Sequence, residues 1–280
     1  MSLLKPAKTY TQYTFLKDIS VKDIRDMFRV FCRYYENTSL DQFITDLGKK
    51  QGAFIVRRRV DNVIVGFSTL GVYPMVVDGQ KVRGIFSGDT ILEKEYWGNR
   101  AINAEFVKRI LVEAIKDPFT PQYWFLISKG YKTFLLLSRN FPSYFPHPEQ
   151  ENPHMKNIVE AYCDQLFPGC LNRDSMVLDF GDGYNCLKNN VTPITDEQRQ
   201  EEDIAFFEQK NPEWTRGCEL PCVARIDFTT FFQVILPQIL KLVFKPGRAG
   251  TGVRTRVTAR IADRWADSSF GKAISRRMAG

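Results

Sequence analysis

Two segments near the N-terminus carry apolar residues at three- and four-residue spacing, with polar residues between them. The first is SVKDIRDMFRVFCRYY, with Ser20 placed as its N-cap, and the second is SLDQFITDLGKK, with Ser39 as its cap. This spacing puts the apolar side chains on one face of a helix. The sequence therefore predicts two amphipathic helices, the second of which ends at Gly48.

The pattern then changes to runs rich in β-branched and aromatic residues. The stretch AFIVRRRVDNVIVGFSTLGVYPMVV predicts two strands folded at Asp61-Asn62. A second turn is predicted at Asp78-Gly79, because Asp-Gly between apolar runs is a strong hairpin signal. The following KVRGIFSGDTIL supplies a third strand, so the sequence predicts an antiparallel meander.

A helix is predicted from Ala101 to Lys116, where apolar residues again recur at helical spacing. QYWFLIS follows as a continuous apolar run, which favours a strand covered on both faces. A further helical pattern extends from Tyr131 to Asn140. Strand, helix and strand in this order predict a right-handed crossover in a mixed sheet. Beyond residue 150 the clearest patterns are a short helix at EEDIAFFEQK and an apolar segment at 228–244.

The composition indicates the size of the core and the cellular compartment of the protein. The chain has 280 residues, 44% of them hydrophobic and 13% aromatic, so it can bury a sizeable core. Its 22 phenylalanines fit either an apolar pocket or a phenylalanine-rich core alone. The six cysteines are dispersed and no histidine set accompanies them, so we expect reduced thiols and no metal site. The first residues lack the apolar run of a signal peptide, and we expect a cytoplasmic protein.

The formal net charge of +7 is concentrated in one segment. Residues 245–280 contain nine basic and two acidic side chains, which account for the whole excess. The remaining residues are balanced, so the basic pI describes a tail and not a basic surface of the folded part. We therefore expect no nucleic-acid partner.

The order helix, helix, three antiparallel strands, loop, helix, strand, helix resembles the GNAT superfamily of N-acyltransferases over residues 12–148. The resemblance implies an α/β (α+β) fold, with a mixed, mostly antiparallel sheet flanked by helices and followed by a C-terminal extension. It implies an acyltransferase domain at 1–150; we expect the following extension at 151–244 to pack on that domain and the basic segment 245–280 to form a tail.

In that family, the loop between the meander and the central helix binds the pyrophosphate of coenzyme A through backbone amides. Here the loop reads EKEYWGNRAIN. The family pattern is Arg or Gln, two residues, Gly, one residue, then Gly or Ala, and this loop departs from it in either of two frames. With Gly98 first, only Ala101 fits; with Glu95 first, Arg100 occupies the last small position. Backbone amides at a helix N-terminus can still bind a phosphate whatever the side chains. The alternative is that the loop only connects the strand to the helix and binds no phosphate.

The resemblance implies two groups of contacts to acyl-CoA, or to the acyl-phosphopantetheine arm of a carrier protein, as a co-substrate that is not tightly bound. Backbone donors of the strand before the loop would contact the thioester carbonyl and the pantetheine; these are Thr90, Ile91 and Leu92. The pyrophosphate contacts would come from the loop and the first helical turn; these are Gly98, Asn99, Arg100, Ala101, Ile102 and Asn103.

Three residues are candidates for proton transfer. Asp89 lies in an apolar strand, where desolvation would raise its pKa and make it a usable base; the alternative is a pair with Arg83 or a turn cap. Gly88 beside it marks either a bulge or close packing. The resemblance implies that Tyr131 protonates the leaving sulfur, and its alternative is a packing aromatic. His147, in a proline-flanked loop, is a second candidate base.

The expected function is transfer of an acyl group to a primary amine of a small molecule or peptide. The phenylalanines and the segment 228–244 favour a long acyl chain. No Ser-His-Asp or Cys-His spacing supports a covalent route, so we expect direct attack. The alternatives are a GNAT-fold binding or scaffold protein without turnover, and a membrane-surface binder acting through residues 228–280. An acidic carrier protein is a further partner that the basic tail would suit.

Overall fold

The structure is a computed structural model that describes residues 8–97, 101–181, 185–188 and 193–227. Within these ranges the α-helices are α1 (Val21–Tyr34), α2 (Leu40–Gly48), α3 (Ala101–Lys116), α4 (Tyr131–Ser138), α5 (Pro153–Leu166) and α6 (Glu202–Lys210). The longer strands are β1 (Thr9–Phe15), β3 (Gly52–Arg58), β4 (Ile64–Val77), β5 (Gln80–Leu92), β6 (Gln122–Ser128) and β11 (Leu220–Ile226). Two-residue strands are β2 (Tyr35–Glu36), β7 (Tyr144–Phe145), β8 (Leu171–Asn172), β9 (Val177–Leu178) and β10 (Cys186–Leu187).

The local signals in the first hundred residues act as predicted. The Ser20 hydroxyl accepts the amide of Asp23 at 3.1 Å, and the Ser39 hydroxyl accepts that of Gln42 at 3.2 Å, so both helices are capped. The turn between β4 and β5 has φ of 51° at Asp78 and 76° at Gly79. Two consecutive left-handed residues form the tight hairpin turn that Asp-Gly favours.

One seven-stranded sheet organises the described residues, in the order β1-β3-β4-β5-β6-β11-β7. Every neighbouring pair is antiparallel except β5 and β6, which are parallel and joined through α3. The fold class predicted from the sequence is therefore confirmed: a mixed, mostly antiparallel sheet flanked by helices.

Helices cover both faces of this sheet. On one face, α1 and α2 pack over β3, β4 and the end of β5, and α5 packs over β5, β6 and β11. On the other face, α4 and α6 pack over β6 and β11, and Phe106 of α3 joins them. Strand β6 is buried on both sides, as its continuous apolar run predicts. Its Phe125 stacks on Tyr162 of α5 at 4.3 Å, and its Trp124 lies 5.3 Å from Phe106 on the opposite face.

The segment after residue 150 contributes to the sheet itself. Strand β11 inserts between β6 and β7, which the sequence did not predict, and its buried positions alternate between the two faces. The predicted domain boundary at residue 150 therefore falls inside one continuous sheet. The reason is that ELPCVARI pairs with β6 although α5 and α6 lie between them in the sequence. No local sequence pattern predicts a pairing over this separation.

Across the described ranges, no helix is long and apolar enough to cross a membrane. The predicted extension beyond residue 227, the apolar segment 228–244, the basic tail and their predicted membrane contact all lie outside the described residues. The six cysteines are free thiols.

Helix α3 is fixed to the sheet by a buried carboxylate. The side chain of Glu113 has no exposed surface, and it forms ion pairs with Arg83 of β5, with Arg109 and with Lys116. Arg109 also donates to Gln51 at 2.8 Å and lies over the ring of Tyr13 at 4.5 Å. This network sets the position of the helix relative to β5 and β1, and therefore the position of its N-terminus.

Removing the Glu113 carboxylate would leave the buried guanidinium of Arg109 and the partly buried one of Arg83 without their shared partner. We expect Glu113→Ala to lower the free energy of unfolding by about 3–5 kcal/mol, the usual cost of breaking a buried ion pair. Urea unfolding of the full chain measures the change. Glu105→Ala, which removes a more exposed pair with Lys108 on the same helix, is the control and should cost less than about 1 kcal/mol. Equal losses in the two variants would contradict the role given to Glu113.

Candidate active site

The two parallel strands at the centre of the sheet separate along their length. Strands β5 and β6 pair only from Arg83 and Gln122 to Phe86 and Phe125. Within the described residues, no strand pairs with this side of β5 beyond Phe86. Both strands continue, β5 to Leu92 and β6 to Ser128, so a cleft opens between residues 87–92 and 126–128, and we call it the cleft throughout.

Contacts just below the cleft hold the last paired residues together. Gly84 lies under the Phe125 ring, and a Cβ at this position would collide with that ring. On the opposite face, Trp124 donates its indole N–H to the hydroxyl of Ser87 at 2.8 Å. These contacts fix where the pairing ends, because a larger residue at position 84 would push the two strands apart earlier.

A β-bulge lies at the edge of the cleft. Ser68 faces Thr90, and Leu70 faces Ser87, so β5 has one more residue than β4 between the same two pairs. The extra residue falls at Gly88-Asp89, so of the two alternatives for Gly88 the bulge is present. A Cβ on Gly88 would lie 2.5 Å from the Thr69 hydroxyl and 3.2 Å from Cε of Lys50. The glycine therefore also makes room for a neighbouring lysine.

The strand alternation beyond the bulge decides which amides face the cleft. The amide of Glu93 donates to the carbonyl of Val65 at 2.9 Å, so Glu93 points its backbone groups toward β4. Two residues earlier, Ile91 does the same, whereas Thr90 and Leu92 point theirs away from β4. The carbonyl of Leu92 accepts the indole N–H of Trp97 at 2.7 Å, which agrees with this direction. Thr90 and Leu92 thus have the orientation needed for a ligand in the cleft, and Ile91 does not.

Helix α3 begins beside the end of β5. The predicted pyrophosphate residues Gly98, Asn99 and Arg100 lie outside the described residues. Ala101 is the first residue of α3, Ile102 packs in a small core with Leu92, and Asn103 is exposed. By helix geometry, the amides of this first turn lack partners within the helix and carry partial positive charge.

Two lysines that the sequence did not single out flank the loop before α3. The Trp97 ring is half-exposed, and the ammonium of Lys132 from α4 lies 4.6 Å from its centroid. The ammonium of Lys94 lies 6.0 Å from the same ring. Both cations are therefore near the start of α3, where a negatively charged group would be favoured. Their approach depends on how α4 lies against the loop, and no sequence spacing reveals it.

A group of ionisable side chains lies beside the bulge on the face that α1, α2 and α5 cover. We call it the charged cluster; its members are Tyr35, Lys50, Asp89, Lys129 and Glu219. The Lys129 ammonium pairs with Glu219 at 3.0 Å, donates to the carbonyl of Asn185 at 2.8 Å and lies 5.5 Å from the Tyr35 ring. The cluster joins residues from five separate parts of the chain, and the sequence analysis identified only Asp89.

Burial shifts the titration of this cluster. It raises the pKa of Asp89, an effect that the charges of Lys50 and Lys129 oppose. It raises the pKa of Glu219 in the same way, opposed by Lys129, and it lowers the pKa of Lys50, opposed by Asp89. The predicted pair between Asp89 and Arg83 is not formed, because Arg83 binds Glu113. Asp89 is thus a carboxylate with increased basicity at the edge of the cleft.

Tyr131 approaches from the opposite face. It is the first residue of α4, it is buried among Trp124, Leu126 and their neighbours, and its hydroxyl accepts a hydrogen bond from Gln198 at 2.7 Å. Because that bond uses an oxygen lone pair, the hydroxyl can still donate its own proton to an acceptor.

The structure does not bring His147 to this site. His147 follows β7, which β11 separates from β6 in the sheet. Its ring packs on Tyr144 at 4.6 Å, and its Nδ1 accepts the amide of Glu149 at 3.1 Å. The two other predicted proton-transfer residues, Asp89 and Tyr131, flank the cleft from opposite faces.

Comparisons with known proteins find distant likenesses to solved structures. No family model matches the chain, and no curated protein matches it. Among solved structures, a probable N-acyltransferase from Enterococcus faecalis V583 has a TM-score of 0.35 and 13% identity, covering 46% of this chain but only 31% of that one. A GNAT family N-acetyltransferase, YhbS, from Escherichia coli in complex with CoA has a TM-score of 0.32 and 13% identity over 45% and 67% of the two chains. Saccharomyces cerevisiae N-myristoyltransferase with bound myristoyl-CoA has a TM-score of 0.33 and 14% identity, over 44% of this chain and 32% of that one.

The raised pKa of Asp89 predicts a pH-dependent cost to stability. A carboxyl whose folded-state pKa is raised contributes stability below about pH 4, and that contribution is lost as the pH rises through the folded pKa. We expect Asp89→Asn to be about as stable as the wild type near pH 4 and more stable near pH 8, by about 1.4 kcal/mol per pKa unit of the shift.

Urea unfolding across this pH range measures the difference between the two proteins, which also includes the change that loss of the Asp89 charge makes in the titration of Glu219 and Lys50. A variant that is less stable than the wild type near pH 8, with no convergence at low pH, would show that the folded protein stabilises the ionised carboxylate instead.

Proposed function

We propose that this protein is an N-acyltransferase, which moves an acyl group from a thioester of coenzyme A, or of carrier-protein phosphopantetheine, to a primary amine. The observation that carries the proposal is the cleft where β5 and β6 separate, with the amides of Thr90 and Leu92 directed into it. A pantetheine arm contains peptide-like amides and is extended, so it can add to an open strand edge as another strand would.

The anionic end of the donor would lie at the start of α3. The free amides and partial charge of the first helical turn suit a pyrophosphate. Lys94 and Lys132 beside Trp97 add two cations at the same end of the cleft. Charge-assisted contacts of this kind are the stronger class of hydrogen bond.

The chemistry proposed for the cleft is one direct displacement. The neutral amine attacks the thioester carbonyl carbon, a C–N bond forms, and the C–S bond breaks. Asp89 takes the proton that the amine loses, because its raised pKa makes it a stronger base than an exposed aspartate. Tyr131 gives its hydroxyl proton to the departing thiolate from the other face, and the Thr90 and Leu92 amides hold the donor in place.

The length of the acyl chain is a separate part of the proposal. The fully buried phenylalanines, among them Phe86, Phe125 and Phe134, pack within the cores on the two faces of the sheet. They support the phenylalanine-rich core that the composition allowed as the alternative to a pocket. The donor assay therefore includes short and long chains.

Mass spectrometry of amide products tests the proposal directly. The full chain is incubated with acetyl-, octanoyl- or palmitoyl-CoA and a mixture of amino acids, polyamines and a lysine-containing peptide. We expect an amide product from at least one donor, and we expect Asp89→Asn to lower kcat/KM for it by about 10²–10⁴-fold, the usual contribution of a positioned base. Asp41→Asn, at an exposed position of α2, is the matched control and should leave kcat/KM unchanged.

Two results would contradict the proposal. Binding of coenzyme A without any amide product would favour the scaffold alternative, and full activity of Asp89→Asn would remove Asp89 from the base role.

A further inference from the structure

Two members of the charged cluster, Lys50 and Asp89, carry opposite charges. Among the residues that the structure describes, neither the ammonium of Lys50 nor the carboxylate of Asp89 has an ion pair or a hydrogen bond with another side chain. The other ammonium of the cluster, on Lys129, is held by Glu219 at 3.0 Å. The ammonium of Lys50 instead lies over the ring of Phe86, 4.2 Å from its centroid.

These two groups are close to each other beside the bulge. A Cβ on Gly88 would lie 3.2 Å from Cε of Lys50, so the lysine stem crosses the bulge next to Asp89. The lysine and the aspartate nevertheless lie beyond ion-pair distance. The ammonium of Lys50 lies over Phe86 and Asp89 belongs to the bulge, so the two charges are separate in this structure.

Opposite charges held apart in a half-buried site favour a ligand that joins them. Burying a charge without a partner is costly, and a solvent-accessible cleft lets a bound molecule supply both partners. A cation would satisfy Asp89 alone, and an anion would satisfy Lys50 alone. A molecule that carries an ammonium and an anionic group a few bonds apart satisfies both, and free amino acids have this arrangement.

We propose that the acceptor is a free amino acid, with its amine at Asp89 and its carboxylate on Lys50. This inference rests on the proposed function, since it names the acceptor of that reaction. Asp89 then has two uses: it attracts the substrate ammonium and, once that ammonium has lost one proton to solvent, it takes the proton that the neutral amine loses on attack. Lys50 sets specificity, because a substrate amine that lacks a carboxylate leaves the ammonium of Lys50 unpaired.

Equilibrium binding without an acyl donor tests the proposal on the full chain. Calorimetry is performed with free amino acids of small, aromatic, acidic and basic type, each alongside the amine that lacks its carboxylate. We expect at least one amino acid to bind about 10–100-fold more tightly than its amine, the usual value of a charge-assisted contact. Lys50→Met should abolish that preference while leaving the affinity for the amine unchanged, and Lys50→Arg should keep most of it.

Lys49→Met is the matched control, because Lys49 is the exposed neighbour and pairs with Asp46. It should bind like the wild type. Circular dichroism confirms that each variant is folded, and removing a half-buried charge at Lys50 is not expected to cost stability. Equal affinity for amino acids and their amines, no binding of any amino acid, or a preference that survives in Lys50→Met would each overturn the proposal.

The transfer assay separates this inference from the proposed function. Amide formation on carboxylate-free amines with equal kcat/KM would overturn the amino-acid acceptor and keep the acyltransferase. Amino-acid binding that depends on Lys50, without any transfer from a thioester, would keep the binding site and overturn the acyltransferase.

Discussion

The site depends on one constraint, which is that two parallel strands stop pairing halfway along their length. Below the cleft, β5 and β6 are held together by Gly84 under Phe125 and by the bond from Trp124 to Ser87. Above it, the bulge at Gly88-Asp89 shifts the register of β5 against β4. Without the bulge, the β5 edge would continue as an ordinary ladder and its amides would pair with β6. The cleft, its open amides and the position of Asp89 all follow from this break.

Several features of the cleft and the charged cluster lower the stability of the folded protein, and packing elsewhere offsets them. Open strand amides, a carboxylate with a raised pKa and a lysine with a lowered one are each unfavourable in a folded protein. Aromatic cores on both faces of the sheet and the Glu113 network that fixes α3 provide rigid support around them. A group of ionisable side chains with shifted pKa values, held within rigid packing, is typical of a binding or catalytic site.

Local sequence patterns predicted most helices and strands of the first 140 residues. Turns, helix caps and apolar spacing depend on only a few neighbouring residues, so they can be recognised from the sequence. The Asp78-Gly79 hairpin, the caps at Ser20 and Ser39 and the doubly buried β6 needed no tertiary information. Strand β11 could not be predicted in its place, since its pairing with β6 depends on contacts far apart in sequence. For the same reason Asp89 was identified from its strand, whereas its neighbours in the charged cluster were not. The orientation of the Ile91 amide depends on a bulge whose register only the structure defines.

The most direct test of the account is an experimental structure of the protein with a non-hydrolysable S-(2-oxoalkyl) thioether analogue of acyl-CoA, which retains a carbonyl. The account predicts that the pantetheine arm lies in the cleft and accepts or donates hydrogen bonds at the backbone of Thr90 and Leu92, with the pyrophosphate at the first turn of α3. The carbonyl of the analogue should lie between Asp89 and Tyr131. An analogue bound elsewhere, or a cleft closed by continued pairing of β5 with β6, would contradict the central claim.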